Sequence, residues 1–166
     1  SCLYPCALQF IEDSLTVTSP TCAGGNDGAI QIQAAGAQFF DNFYIDNNPS
    51  FQNFGNFGGL LPGPYTLYVY DGAGCGDTLE VEIPETAPLV ITAELTTPVS
   101  CHDESDAVIT ITGTTGGSGD FEYSISSNPG FTSSTTFDGL GGDNVSGIVY
   151  QFLVRDTQTG CISDPQ

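Results

Sequence analysis

The sequence predicts an all-β chain of two tandem β-sandwich modules, each closed by a disulfide. Three observations carry this expectation: an internal repeat at a spacing near 80 residues, apolar/polar alternation without any sustained helical period, and six Cys within 166 residues.

The repeat is legible residue by residue. Cys22, Asp27, Ile30 and Ile32 recur as Cys101, Asp106, Ile109 and Ile111, at an offset of 79. Asn48-Pro49-Ser50-Phe51 recurs as Asn128-Pro129-Gly130-Phe131, and Phe57-Gly58-Gly59-Leu60 as Phe137-Asp138-Gly139-Leu140, both at 80. The series ends with Tyr65 to Asp71 on Tyr150 to Asp156 at 85, and Gly74-Cys75 on Gly160-Cys161 at 86. Small loop insertions account for the drift. The expected division is residues 1–19 as an N-terminal segment or the end of a preceding module, 20–87 as module 1 and 88–166 as module 2. Thr78 to Pro84 reads as an extended linker between them, and the natural polypeptide is expected to continue beyond Cys161.

Strands are expected where residues alternate: Ile30 to Gln33, Leu67 to Tyr70, and Val108 to Thr112. Turn chemistry bounds them at Gly24-Gly25-Asn26-Asp27-Gly28, at Gly59 to Pro64, and at Gly116 to Asp120. Short strands at this spacing suggest one sandwich per module.

Twenty acidic residues against one basic residue, a net charge of −19, exclude partners recognised through clustered Lys and Arg, namely nucleic acid and anionic membrane surfaces. No apolar run approaches the roughly 20 residues of a membrane-spanning helix, so no membrane insertion is expected. Six Cys without close metal-knuckle pairs point to an oxidising, extracellular setting. Matched positions pair Cys22 with Cys75 and Cys101 with Cys161, leaving Cys2 with Cys6 by elimination. Loops of that size stabilise by roughly 3–4.7 kcal/mol in the chain-entropy picture.

The repeated pattern runs Cys, Asn/Ser-Asp-Gly/Ala, Tyr-x-Ile, Asn-Pro-x-Phe, Phe-x-Gly-Leu, Tyr-x-Leu/Phe-x-Val-x-Asp, Gly-Cys. It resembles the SprB repeat of giant surface adhesins in gliding Bacteroidota. Cys22, Asp27, Gly28, Tyr44, Ile45, Phe57, Gly59, Leu60, Tyr65, Val69, Asp71 and Cys75 carry the resemblance in module 1. Module 2 keeps it at Cys101, Asp106, Tyr123, Ile125, Phe137, Gly139, Leu140, Tyr150, Val154, Asp156 and Cys161, and departs from it in the insertion Asp143 to Gly147. The resemblance implies immunoglobulin-like repeats in a long surface protein, exported by type IX secretion and displayed during gliding and adhesion. It brings no catalytic residues.

The residues themselves offer little chemistry for an enzyme. The single His, His102, lacks a positioned nucleophile, and Arg155 reads as a solvated side chain or ion-pair partner. No cofactor is expected, structural Ca²⁺ being the one ion for which ligands cluster: Asp103, Glu104 and Asp106 at one module opening and Asp27 at the other. Phe43, Tyr44, Phe51, Asn53 and Phe54 form an aromatic and amide mixture suited to stacking on sugars and hydrogen-bonding them. Ser14 and Thr78 stand in Asp-Ser/Thr-Leu triplets like the O-glycosylation acceptor of Bacteroidota.

The expected function is a non-enzymatic repeat segment of an extracellular, cell-surface adhesin or filament. Its partners are neighbouring repeats of the same chain, copies of itself, or a surface polysaccharide. The alternative is a carbohydrate-binding surface protein using the Phe/Asn-rich face of module 1.

Overall fold

The structure, a computed structural model, describes residues 6–37, 41–46, 48–101, 104–141 and 148–166, with residues 48–51 described in their backbone only. The chain divides into two compact units, Ser1–Thr86 and Ala87–Gln166. The described residues contain strands and turns and no helix. The fold is all-β, with an immunoglobulin-like sandwich in each unit.

Unit 1 contains β1 (Gln9–Thr18), β2 (Gly28–Ala35), β3 (Asn42–Ile45), β4 (Asn48–Gln52), β5 (Gly55–Leu60), β6 (Gly63–Tyr70) and β7 (Gly76–Ile83). One sheet runs β1-β2-β5 and the other β4-β3-β6-β7, every pair antiparallel. Residues 9–18, expected to lie outside module 1, are therefore its first strand. The expected linker at 78–84 is also corrected, because β7 pairs with β6 from Gly76↔Tyr70 to Ile83↔Gly63. Alternation explains why: Val81 and Ile83 face the core, and an apolar alternating segment is more stable against its own module than in water.

Unit 2 contains β8 (Val90–Thr97), β9 (Ala107–Thr115), β10 (Phe121–Ile125), β11 (Asn128–Thr132), β12 (Thr136–Leu140) and β13 (Phe152–Asp156). Its sheets, β12-β9-β8 and β11-β10-β13, repeat the order of unit 1. A bridge between Arg155 and Ile162, and reciprocal backbone bonds between Phe152 and Gln166, lie where unit 1 has β7.

The alternating residues face inward as expected. Ile30, Leu67 and Val69 have no exposed surface in unit 1, and neither does Val154 in unit 2. Full burial of such side chains is worth about 1.5–3 kcal/mol each.

The repeated motifs now have physical meanings. In Phe-x-Gly-Leu, Gly59 (φ 73°) and Gly139 (φ 66°) occupy the left-handed region within stretches where the ladder to β2 or β9 slips register. Asn-Pro-x-Phe opens β4 and β11, the outer strands of their sheets, where a residue lacking an N–H leaves no ladder bond missing and discourages further pairing. Tyr65 donates its hydroxyl proton to the Leu61 carbonyl (2.9 Å), and Tyr150 does the same to Gly141 (3.0 Å). They tie the start of β6 and the approach to β13 to the preceding loop, as the tyrosine corner of immunoglobulin-like sandwiches does.

Candidate functional site

Four repeated carboxylates take up the loops at the module ends. At the openings, Asp27 accepts from the Thr21 N–H (2.9 Å) and from the Thr21 hydroxyl, and Asp106 accepts from the Ser100 N–H (3.0 Å). Hydrogen bonding from the Thr21 side chain and backbone holds Asp27 below the ordinary carboxylate range, and bonding from Ser100 does the same for Asp106. This is the geometry of loop closure. Among the described residues no three His, Cys, Asp or Glu side chains converge as a metal site would require. Asp27 and the pair Glu104 and Asp106 lie in different units, and Asp103 and His102 fall outside the described residues.

At the other end, Asp71 and Asp156 are buried carboxylates that organise the turn leading to Gly-Cys. Asp71 Oδ1 accepts from the Ala73 and Cys75 N–H groups, both at 2.9 Å. Asp156 Oδ1 accepts from the Gln158 N–H (2.9 Å), the Thr159 N–H (3.1 Å) and the Ser118 hydroxyl (2.8 Å), while Oδ2 takes the Ser118 N–H. Asp156 has no exposed surface. The Ser118 backbone bond leads a set of donors that outweighs desolvation and lowers its pKa to about 2. The sequence showed these aspartates as repeated without showing their donors, of which Ser118 is 38 residues away.

The cysteine pairing differs from the expectation. Cys75 bonds Cys6, with Cα atoms 5.5 Å apart, so the pairs Cys22–Cys75 and Cys2–Cys6 are both excluded. The cause is β1. It brings the N-terminal segment alongside β7, where the Phe10 N–H donates to Asp77 Oδ2 (2.9 Å), and Cys6 thereby reaches the turn that precedes Gly76. The positions equivalent to Cys6 in the repeat, at the junction Glu85-Thr86-Ala87, hold no Cys, so the same staple is not repeated. Cys101 is a free, exposed thiol, which excludes Cys101–Cys161; Cys22 and Cys161 are each disulfide-bonded, and Cys2 lies outside the described residues.

The aromatic set expected to bind sugar is divided. Phe43 is buried in the core, packed against Phe10 with ring centroids 6.2 Å apart. Tyr44 stands edge-on to Tyr70 at 6.0 Å, and the Phe51 side chain is outside the description. Asn53 and Phe54 do remain at the surface, Phe54 being 73% exposed. They border an open cleft of about 410 Å³ that Gln33, Asp41 and Asn56 also line. Asp41 Oδ1 is buried without a hydrogen-bond partner among the described residues, a feature no sequence pattern announced.

Arg155 is an ion-pair partner: its guanidinium bonds Glu122, directly opposite across β10–β13, and sits 4.4 Å from the centroid of the Phe131 ring. Ser14 lies in a β1 irregularity, where its hydroxyl donates to the Ile11 carbonyl (2.6 Å) and accepts from the Gln33 N–H (2.8 Å). Thr78 is exposed on β7.

No curated protein matches the chain. Among solved structures, dimeric latent PorU from Porphyromonas gingivalis aligns with 96% of this chain at 13% identity and a TM-score of 0.28, too low to carry any argument. This chain spans about a fifth of the PorU chain, covering 20% of it. The family model of the SprB repeat matches residues 14–40 and 93–130. Ser14 and Ala93, where the two matches begin, are equivalent positions in the repeat, as Cys22 and Cys101 are. The family model of the SprB repeat thus matches one segment in each unit.

Proposed function

We propose that the chain is a non-enzymatic structural segment of a long extracellular adhesin or surface filament, exported by type IX secretion and acting in adhesion or gliding. The observation that supports this reading best is the repetition of one sandwich in tandem along the sequence, with the family match beginning at equivalent positions in both copies. The use of the repeated polar residues agrees with it. Asp27, Asp106, Asp71, Asp156, Tyr65 and Tyr150 all bond to loops of their own module, the economy of a spacer rather than of a reaction centre. Repeat proteins of this kind gain length by adding units that fold largely on local contacts.

In this reading the partners are neighbouring repeats, copies of the chain and the surface to which the protein adheres. A net charge of −19 keeps parallel filaments apart, over a range that salt shortens to about 10 Å or less. No catalytic residue and no cofactor enter it.

The test is the size of the native polypeptide, by denaturing electrophoresis of shed surface material with peptide mapping across the band. A product of hundreds of kilodaltons carrying many such modules is expected. A native product near 17.3 kDa would overturn the reading.

A further inference from the structure

We infer that the cleft of module 1 between the ends of β2, β3 and β5 is a binding site for a neutral polysaccharide chain. Four features converge there. Phe54, in the bend between β4 and β5, is 73% exposed and offers an aromatic face at the rim. Asp41, just before β3, lines the cleft, and its Oδ1 is buried without a hydrogen-bond partner among the described residues. Gln33, Asn53 and Asn56 add three amide side chains, each both donor and acceptor. The volume, about 410 Å³, falls within the range of small-ligand pockets.

The chemistry that answers all four is a pyranose. One face of the ring is rich in C–H bonds and stacks on an aromatic side chain, while its hydroxyls donate to a carboxylate and exchange bonds with amides. The buried Oδ1 of Asp41 is the most informative element, because an acceptor left without a donor among the described residues is costly and a ligand hydroxyl would satisfy it once the carboxylate turns into the cleft. Charge narrows the class further. A chain of net charge −19 with a carboxylate lining the cleft repels uronic acids and sulfated sugars. One carboxylate among amides is too few for a cation site, and no converging acidic group lies among the described residues.

Module 2 supplies an internal control. Ser133-Ser134-Thr135-Thr136 stands where module 1 has Asn53-Phe54-Gly55-Asn56, and Ser134 bonds back onto the Thr136 carbonyl (2.9 Å), closing the bend with no aromatic rim. Binding is thus a property added to one copy of a repeated scaffold. It does not depend on the length of the native polypeptide, so it can fail while the filament reading stands, and the reverse.

The experiment is calorimetric titration of the whole chain with cellohexaose, laminarihexaose, maltoheptaose and a soluble α-mannan, with alginate as the anionic comparison. At least one neutral glycan is expected to bind. Phe54→Ala and Asp41→Asn should each weaken it by about tenfold or more, and Ser134→Ala should leave it unchanged. Phe54 is exposed, so Phe54→Ala should melt with the parent chain; if Asp41→Asn does not fold, Phe54→Ala decides. Failure of every neutral glycan to bind, tighter binding of alginate, or undiminished binding by Phe54→Ala would overturn the inference.

Discussion

Removing the Cys6–Cys75 bond should destabilise module 1 far more than its burial of a single side chain suggests. The bond joins residues 69 apart and so closes nearly the whole of unit 1. In the chain-entropy picture a loop of that length restricts the unfolded chain by about 4.4 kcal/mol at 25 °C, between the values of about 3 for 15 residues and about 4.7 for 100. Cys75 is also buried among core residues, so Cys6→Ala/Cys75→Ala adds a small packing loss. For a domain of this size each kcal/mol moves Tm by about 4–8 °C, so module 1 should melt roughly 18–35 °C lower. Amide exchange across a urea series, followed separately on peptides from β2 and β6 and from β9 and β13, distinguishes the two modules. The midpoint of the first pair should fall while the second pair changes little, and Cys101→Ser should move neither. A loss below about 1 kcal/mol in module 1 would refute the reasoning, since it would mean that the unfolded chain is hardly constrained by this cross-link.

Module 2 should weaken at acid pH through Asp156. Its folded pKa of about 2 lies below the ordinary 3.8, so its contribution is complete above pH 3.8 and is lost as pH falls through 2; melting of β13 at pH 4 and pH 2 measures it, and Asp156→Asn should flatten the difference. Gly117 and Gly139 both have positive φ, 68° and 66°, but only Gly117 is crowded: an added Cβ would lie 2.6 Å from Asp156 Oδ2 and 2.8 Å from Leu89 Cδ2. Gly139→Ala should therefore cost about 1–2 kcal/mol in denaturant unfolding, and Gly117→Ala about 1–3 kcal/mol more. Intact and peptide mass spectrometry of native material should find any O-glycan on Thr78 rather than Ser14, because a glycan on Ser14 would remove the hydroxyl proton donated to Ile11; a glycan on Ser14 alone would contradict this.

Much of the fold was legible because it rests on local patterns that the repeat states twice. Alternation at Ile30 and Ile32 and at Leu67 and Val69 marks which face is buried whatever the partner strand, and Gly59 and Gly139 mark a bulge that recurs with its motif. The candidate site was legible only in composition. The Phe and Asn content around residues 43–54 was plain, but alternation at Phe43 did not distinguish a core ring from a binding ring, and only the sheet packing did.

What the sequence determined by itself is the β class, the two-fold repetition and the placement of turns, since each follows from side-chain period and backbone preference within a few residues. What the tertiary structure decided is every long-range choice. It made β7 part of module 1 rather than a linker, it turned Cys75 toward Cys6, and it brought Asp41 and Phe54 to one cleft. Pairings of this kind depend on which strands lie adjacent in space, and residues as far apart as Cys6 and Cys75 acquire neighbours only when a whole sheet has formed.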